Sequence, residues 1–180
     1  YEPELYSDTL RAALACDRLL SIAPGAAYGD AKRWNAEGFR EAALWWIKER
    51  NGHVALLSAP NEADSARRVL EGLPEDRVFD LAGKTSLNAL MLLLRRSRMC
   101  AANDSGTMHL GAVLGVPGVV PFGPTDPAAT SPLSARWRIL YDKQSCAPCF
   151  KRECPDGTKK CLGAIRGTDM VEAMKSLEKI

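Results

Sequence analysis

The stretch RMCAANDSGTMHLGAVLGVPGVVPFG, residues 98–123, decides the fold. RMCAAND and VPGVVPFG are short apolar runs that read as buried strands, and SGTMHLGAVLG between them reads as a helix. Two such strands joined through a helix form a βαβ unit, which lays its strands parallel and crosses over right-handed. A sheet built this way is covered by helices on both faces, so its strands are apolar throughout instead of alternating.

Working outward, the same unit recurs. On the amino-terminal side RLLSIAPGA is an apolar strand ending in Pro24 and Gly25, and AEGFREAALWWIKER is a helix with its basic residues at the end the dipole favours. HVALLSAP is a strand, NEADSARRVLEGL a helix capped by Asn61 and ended by Gly72, RVFDLAG a strand and TSLNALMLLLRRS a helix. Before them TLRAALACDRLL has helical spacing, and residues 1–8 read as a linker in which Pro3 bars an early helix. Beyond Gly123 the pattern weakens. GPTDPAATSPLS reads as a loop, WRILYDK as a further strand, residues 142–166 as an irregular cysteine-rich region, and GTDMVEAMKSLEKI as a closing helix capped near Thr168 or Asp169. The expected fold is therefore α/β, a Rossmann-like parallel sheet with helices on both faces, in a single domain over residues 1–180.

Composition narrows the function. The 24 Lys and Arg nearly balance 22 Asp and Glu, a net +2, which gives no case for a nucleic-acid binder. No apolar run approaches the roughly 20 residues of a membrane span, and YEPELYSDTL lacks the pattern of a secretory signal. A cytoplasmic location is expected.

In open parallel sheets, ligands bind outside the carboxyl ends of the strands. The strand-to-helix loops there are APGAAYGDAKRW (23–34), SAPNEA (58–63), LAGKTS (81–86), NDSGTMH (103–109) and FGPTDP (122–127). In NDSGTMH, Asp104 and Ser105 are placed to cap the next helix, and Gly106 lets a ligand approach amides that attract phosphate oxygens. His109 follows one turn later on the face of Ser105. Two readings fit: a phosphate-binding helix start, or a plain cap with a packed histidine. PGAAYGDAKRW offers small residues and then Lys32 and Arg33, which suits a diphosphate held by backbone amides and a point charge, or a solvated turn. Trp34 reads as packing. Glu62 is placed either to accept the hydroxyls of a ribose or to favour a helix dipole. Thr125 and Asp126 occupy a rigid turn between prolines. Neither GxxxxGK[ST] nor a GxGxxG after the first strand is present, which argues against a Walker loop and against NAD.

PGAAYGDAKRW, NDSGTMHLGAVLGVP and FGPTDP, in this order and at these separations, closely resemble the carboxyl-terminal half of the lipopolysaccharide heptosyltransferases, glycosyltransferase family 9. The resemblance covers nearly the whole chain. It implies one half of a GT-B enzyme, a domain that binds ADP-heptose so that heptose is transferred with inversion to the lipid A–Kdo core at the cytoplasmic face of the inner membrane, with no cofactor needed for transfer. Matched position by position, Lys32 corresponds to a phosphate-contacting lysine, Glu62 to a ribose-binding glutamate, and Asp104, Ser105 and Gly106 to the loop beside sugar and diphosphate. His109 corresponds to a histidine near the same phosphates, and Tyr28 and Thr125 complete the implied donor site. Ala27 and Tyr28 stand where some relatives carry threonines, leaving backbone amides to replace a hydroxyl contact. The family's general base lies in an amino-terminal domain that this chain has no room for, so no catalytic residue is expected in it and little or no transfer by it alone. The competing readings are a non-catalytic nucleotide-sugar-binding module and a relative using another sugar donor.

Four of the six cysteines crowd into SCAPCFKRECPDGTKKC. The spacing of Cys146, Cys149, Cys154 and Cys161 is compatible with a structural zinc, with disulfides, or with free thiols. The lysines and arginine between them suit a loop that engages an anionic acceptor.

Overall fold

The structure is a computed structural model that describes residues 7–178. Six strands, β1 (Leu19–Ala23), β2 (His53–Leu56), β3 (Val78–Asp80), β4 (Met99–Ala102), β5 (Gly118–Phe122) and β6 (Trp137–Tyr141), form one sheet in the order β3-β2-β1-β4-β5-β6. Every pairing is parallel. The chain winds outward in one direction from β1 to β3, then returns to the other side of β1 to lay down β4 to β6. The order reverses between β1 and β4, and there the loops at the carboxyl ends diverge and leave a crevice.

The strands are apolar throughout because both faces are covered. Leu20, Ile22, Val54, Leu56, Met99, Ala101 and Val119 face one interior cluster, while their neighbours Leu19, Ala23, Ala55, Leu57, Cys100, Ala102 and Val120 face another. The first cluster is closed by α2 (Ala36–Arg50) and α8 (Gly167–Leu177), which pack on each other and bury Phe39, Trp46, Met170 and Met174. The second is closed by α1 (Asp8–Ala15), α4 (Leu87–Arg96) and α5 (Gly106–Val113), through Leu10, Leu93, Leu94 and Met108. Both faces of the sheet are thus helical, as the sequence predicts.

Several elements differ from expectation. The linker over residues 1–8 lies mostly outside the described residues; Ser7 caps α1 and Asp8 opens it, with Ser7 Oγ accepting from Leu10 N–H at 3.3 Å. The helix expected over 61–73 is instead a 3-10 turn (Pro60–Glu62), the short α3 (Ala63–Arg67) and a second 3-10 turn (Arg68–Leu70). Asn61 is not its cap: Pro60, whose fixed φ suits a first helical residue, starts the turn one position earlier. Gly72 takes φ 76° and leads the chain away. GPTDPAATSPLS contains a helical turn, α6 (Pro127–Thr130), capped by Asp126, whose carboxylate accepts from Ala128 N–H at 2.9 Å. In α8 the cap is Arg166, and Asp169 sits one turn inside, accepting Arg166 N–H at 2.9 Å. The cysteine-rich region carries one short helix, α7 (Lys160–Gly163).

Candidate functional site

The loops after β1, β2 and β4 converge at the reversal of strand order and enclose a cavity of about 390 Å³. Tyr28, Lys32, Glu62, Asp104, Ser105, Gly106 and His109 all line it. The loop after β3 does not reach it. β3 is an edge strand, and Lys84 there pairs locally with Asp80 at 3.4 Å.

Charge is arranged around the cavity in matched pairs. Lys32 Nζ lies 2.6 Å from Asp104 Oδ2, with both side chains nearly buried. The same carboxylate oxygen accepts from Thr125 Oγ1 at 2.6 Å. Thr125 is buried and does not line the cavity; it stands behind Asp104 and fixes it. Asp104 is therefore not a helix cap, because its carboxylate is committed to Lys32 and Thr125. Nor does Ser105 cap with its side chain, although it occupies the N-cap position of α5. Its Oγ is buried and has no hydrogen-bond partner among the described residues. At Gly106 an added Cβ would meet nothing within 4 Å, so internal packing does not require the glycine. His109 is exposed on the first turns of α5, facing the same cavity.

Glu62 is buried at the cavity wall. Its Oε1 accepts from Ala26 N–H at 2.9 Å and from Arg33 at 2.7 Å, so it ties the loop after β2 to the loop after β1. Gly25 makes the approach possible: a Cβ there would stand 2.5 Å from Glu62 Oε2. The carboxylate thus serves neither as a dipole partner nor as a surface charge. It braces the loop with one oxygen and keeps lone pairs for a further donor.

Two residues hold this geometry, Asn103, which sequence patterns did not single out, and Arg33, which they offered as a phosphate contact. Asn103, fully buried, accepts Trp34 N–H on Oδ1 at 3.2 Å and donates from Nδ2 to Pro24 C=O at 2.6 Å, pinning both ends of the β1 loop to the end of β4. Arg33 is the partner of Glu62. No local signal marks Asn103, since its role follows from β4 lying beside β1. Trp34 packs, as expected, with its ring edge-on to Phe39 at 4.9 Å and its indole N–H donated to Ile165 C=O at 3.1 Å.

The cavity therefore presents an ammonium, the amino end of a helix with an unpartnered serine hydroxyl, a histidine and a buried carboxylate, on a floor of small residues. An ammonium and free helix amides recognise phosphate oxygens, and the carboxylate recognises hydroxyls.

Residues 2–160 match the family model for glycosyltransferase family 9 (heptosyltransferase). The chain belongs to this family. Among curated family 9 proteins, lipooligosaccharide heptosyltransferase 2 of Campylobacter jejuni is 31% identical over 167 residues, covering 90% of this chain and 51% of its own length. Among solved structures, E. coli ADP-heptose lps heptosyltransferase II superposes with a TM-score of 0.79 at 24% identity, over 97% of this chain and 54% of that one. E. coli heptosyltransferase WaaC with ADP-2-deoxy-2-fluoro heptose superposes with a TM-score of 0.64 at 21% identity, over 89% of this chain and 44% of that one. The family 9 chain described here thus spans about half the length of its relatives. The Rossmann-like architecture expected for one half of such an enzyme is borne out.

Of the three states that the cysteine spacing allows, a structural zinc finds no support in the geometry. Among the described residues no group of three or more His, Cys, Asp or Glu is arranged to hold a metal ion, and all six cysteines are free. Cys146 is exposed whereas Cys161 is buried, and Cys154 donates its thiol to Asp156 Oδ1 at 3.0 Å. Burial pushes the Cys161 thiol above its ordinary range. All four cysteines line a small, largely apolar pocket of about 150 Å³.

Proposed function

We propose that this chain is the donor-binding half of an inverting heptosyltransferase, holding ADP-heptose in the cavity between the loops after β1, β2 and β4. The observation that carries this reading is the convergence of Lys32 and the amino end of α5, with the orphaned Ser105 hydroxyl, on one cavity at the reversal of strand order. The diphosphate lies against Lys32, the first-turn amides of α5 and His109, and Glu62 receives the ribose hydroxyls. Asp104 and Gly106 flank the sugar, with Asp104 held in place by Thr125. The E. coli structure with a fluorinated ADP-heptose supports the choice of donor.

In such a transfer the acceptor hydroxyl attacks the anomeric carbon from the face opposite the diphosphate, and the bond to ADP breaks as the new bond forms. This chain's contribution is to the leaving group: Lys32 and the α5 amides stabilise the negative charge that develops on ADP. The base that takes the acceptor proton lies outside this chain, and the acceptor is the lipid A–Kdo core. Transfer requires no cofactor. Among the described residues no helix is long and apolar enough to cross a membrane. The proposed placement, a peripheral contact with the cytoplasmic face of the inner membrane, follows from the proposed acceptor, and no nucleic-acid partner is proposed.

Calorimetric titration with ADP-heptose, ADP-glucose and UDP-sugars tests the donor. Selective binding of ADP-heptose is expected, and preference for a UDP-sugar would refute the assignment. Combination with an amino-terminal half that restores heptose transfer supports the enzyme; binding that never leads to turnover would make the chain a non-catalytic module.

A further inference from the structure

The cysteine-rich segment is fastened to the loop after β1 on both sides of Arg152. Tyr28 OH donates to Phe150 C=O at 2.8 Å, Ala31 N–H donates to Arg152 C=O at 2.9 Å, and Lys159 pairs with Asp30 at 2.5 Å. On its far side Phe150 N–H donates to Pro124 C=O at 2.8 Å, in the loop that also carries Thr125. Gly29 sets how closely the two loops meet: with φ 155°, any Cβ there would stand 2.3 Å from the Arg152 carbonyl oxygen. The backbone of Arg152 is therefore fixed against the cavity loop while its side chain is exposed.

That side chain packs over a ring of the cavity wall, although Arg152 does not itself line the cavity. The Arg152 guanidinium carbon lies over the Tyr28 ring, 5.3 Å from its centroid, and Lys32 Nζ lies 4.7 Å from the same centroid. Tyr28 and Lys32 both line the cavity. The two cationic centres are thus within roughly 10 Å of each other, about one Debye length at 0.1 M salt, so they share one electrostatic environment. Lys32 has a carboxylate partner in Asp104, whereas Arg152 makes no ion pair among the described residues. The face of an aromatic ring holds a cation in place but does not cancel its charge. A second, uncompensated cation poised over the wall of a cavity that already offers an ammonium and helix amides is arranged for an anion with more than one charged group.

We propose that Arg152 is a second cationic contact for the nucleotide diphosphate, delivered to the donor site by the cysteine-rich segment and aimed by Tyr28. The inference rests on the donor-site reading above and extends it to a segment outside the strand-to-helix loops. Its chemistry is that of a guanidinium paired with phosphate oxygens by charge-assisted hydrogen bonds, which strengthen as the departing diphosphate gains negative charge.

The test is calorimetric titration of the intact protein with ADP and with adenosine, comparing wild type with Arg152→Ala, Arg152→Lys, Lys32→Ala and the neighbouring Glu153→Ala. Arg152→Ala should weaken ADP binding about tenfold, Arg152→Lys should recover part of the loss, and Glu153→Ala and all adenosine affinities should stay at wild-type values. The Arg152→Ala deficit should shrink as salt is raised, because the contact is ionic. Wild-type ADP affinity in Arg152→Ala, with Lys32→Ala impaired, overturns the role of Arg152 and leaves the donor site standing. Wild-type ADP affinity in both variants overturns the donor site itself. An equal loss of ADP and adenosine binding in Arg152→Ala also overturns the proposal, since it marks general damage to the loop instead of a lost phosphate contact.

Discussion

Asp104→Asn is the most informative perturbation. Asp104 is 5% exposed, its Oδ2 is shared between Lys32 Nζ and Thr125 Oγ1 at 2.6 Å each, and the Lys32 side chain is 11% exposed. The substitution preserves shape but leaves an ammonium with little water and no counter-charge. Removing one member of a buried pair costs about 3–5 kcal/mol; water at the cavity mouth reaches Lys32, so about 3 kcal/mol is expected. For a chain of this size that corresponds to a fall in Tm of roughly 6–12 °C. Lys32→Met should cost a similar amount by stranding the carboxylate. The double variant should cost less than the sum of the two, with a coupling energy of about 1–3 kcal/mol. Urea or thermal unfolding of the four proteins, without nucleotide, supplies the cycle. Strict additivity, or a cost for Asp104→Asn below about 1 kcal/mol, would show that the pair is not a structural unit and would refute the electrostatic account of the cavity.

Four further outcomes follow from the same geometry. Glu62→Ala should destabilise the chain by about 3 kcal/mol, since it strands a buried amide and the Arg33 guanidinium, and Glu62→Gln by less; unfolding midpoints check both. Asn103→Ala should cost about 3 kcal/mol or more, because Trp34 N–H and Pro24 C=O both lose their partner inside a fully buried site, and hydrogen exchange at Trp34 should accelerate. Alkylation followed by mass spectrometry should label exposed Cys146 rapidly in the native protein and spare Cys100, whose thiol is pushed up to about 12 by burial. Although burial pushes the Asp80 carboxyl up, donation from Arg67 and Ala82 N–H together with the Lys84 charge leaves it below the ordinary carboxylate range. Its contribution to stability is then present above about pH 4 and is lost as pH falls through the lowered folded value, so Asp80→Asn should flatten the acid limb of a stability–pH curve measured by denaturant unfolding.

The alternation of apolar runs with helical segments reveals the parallel sheet, because strands covered on both faces have to be apolar from end to end. Residues 98–123 are sufficient to establish that rule. What local patterns do not reveal is strand order, and with it which loops meet. Asp104 and Ser105 look like helix caps in isolation because capping depends only on near neighbours in sequence. The actual partners of Asp104, Lys32 and Thr125, arrive from the loops after β1 and β5, and the Ser105 hydroxyl has none among the described residues. Asn103 escapes notice for the same reason. The cysteine spacing looks like a metal knuckle, yet tetrahedral ligation needs sulfur directions that spacing does not encode, and the segment instead spends its backbone on the β1 loop.

The contact of Gly29 with the Arg152 carbonyl has a consequence for protein engineering. Segments 24–33 and 146–161 lie more than a hundred residues apart, yet they share hydrogen bonds through Tyr28, Ala31 and Asp30 and meet too closely for either to change shape alone. A chimera meant to import another relative's donor preference by grafting the first loop would set a foreign backbone against a native clasp. The unit of exchange is the pair, and a graft that carries both segments should fold where either one by itself does not.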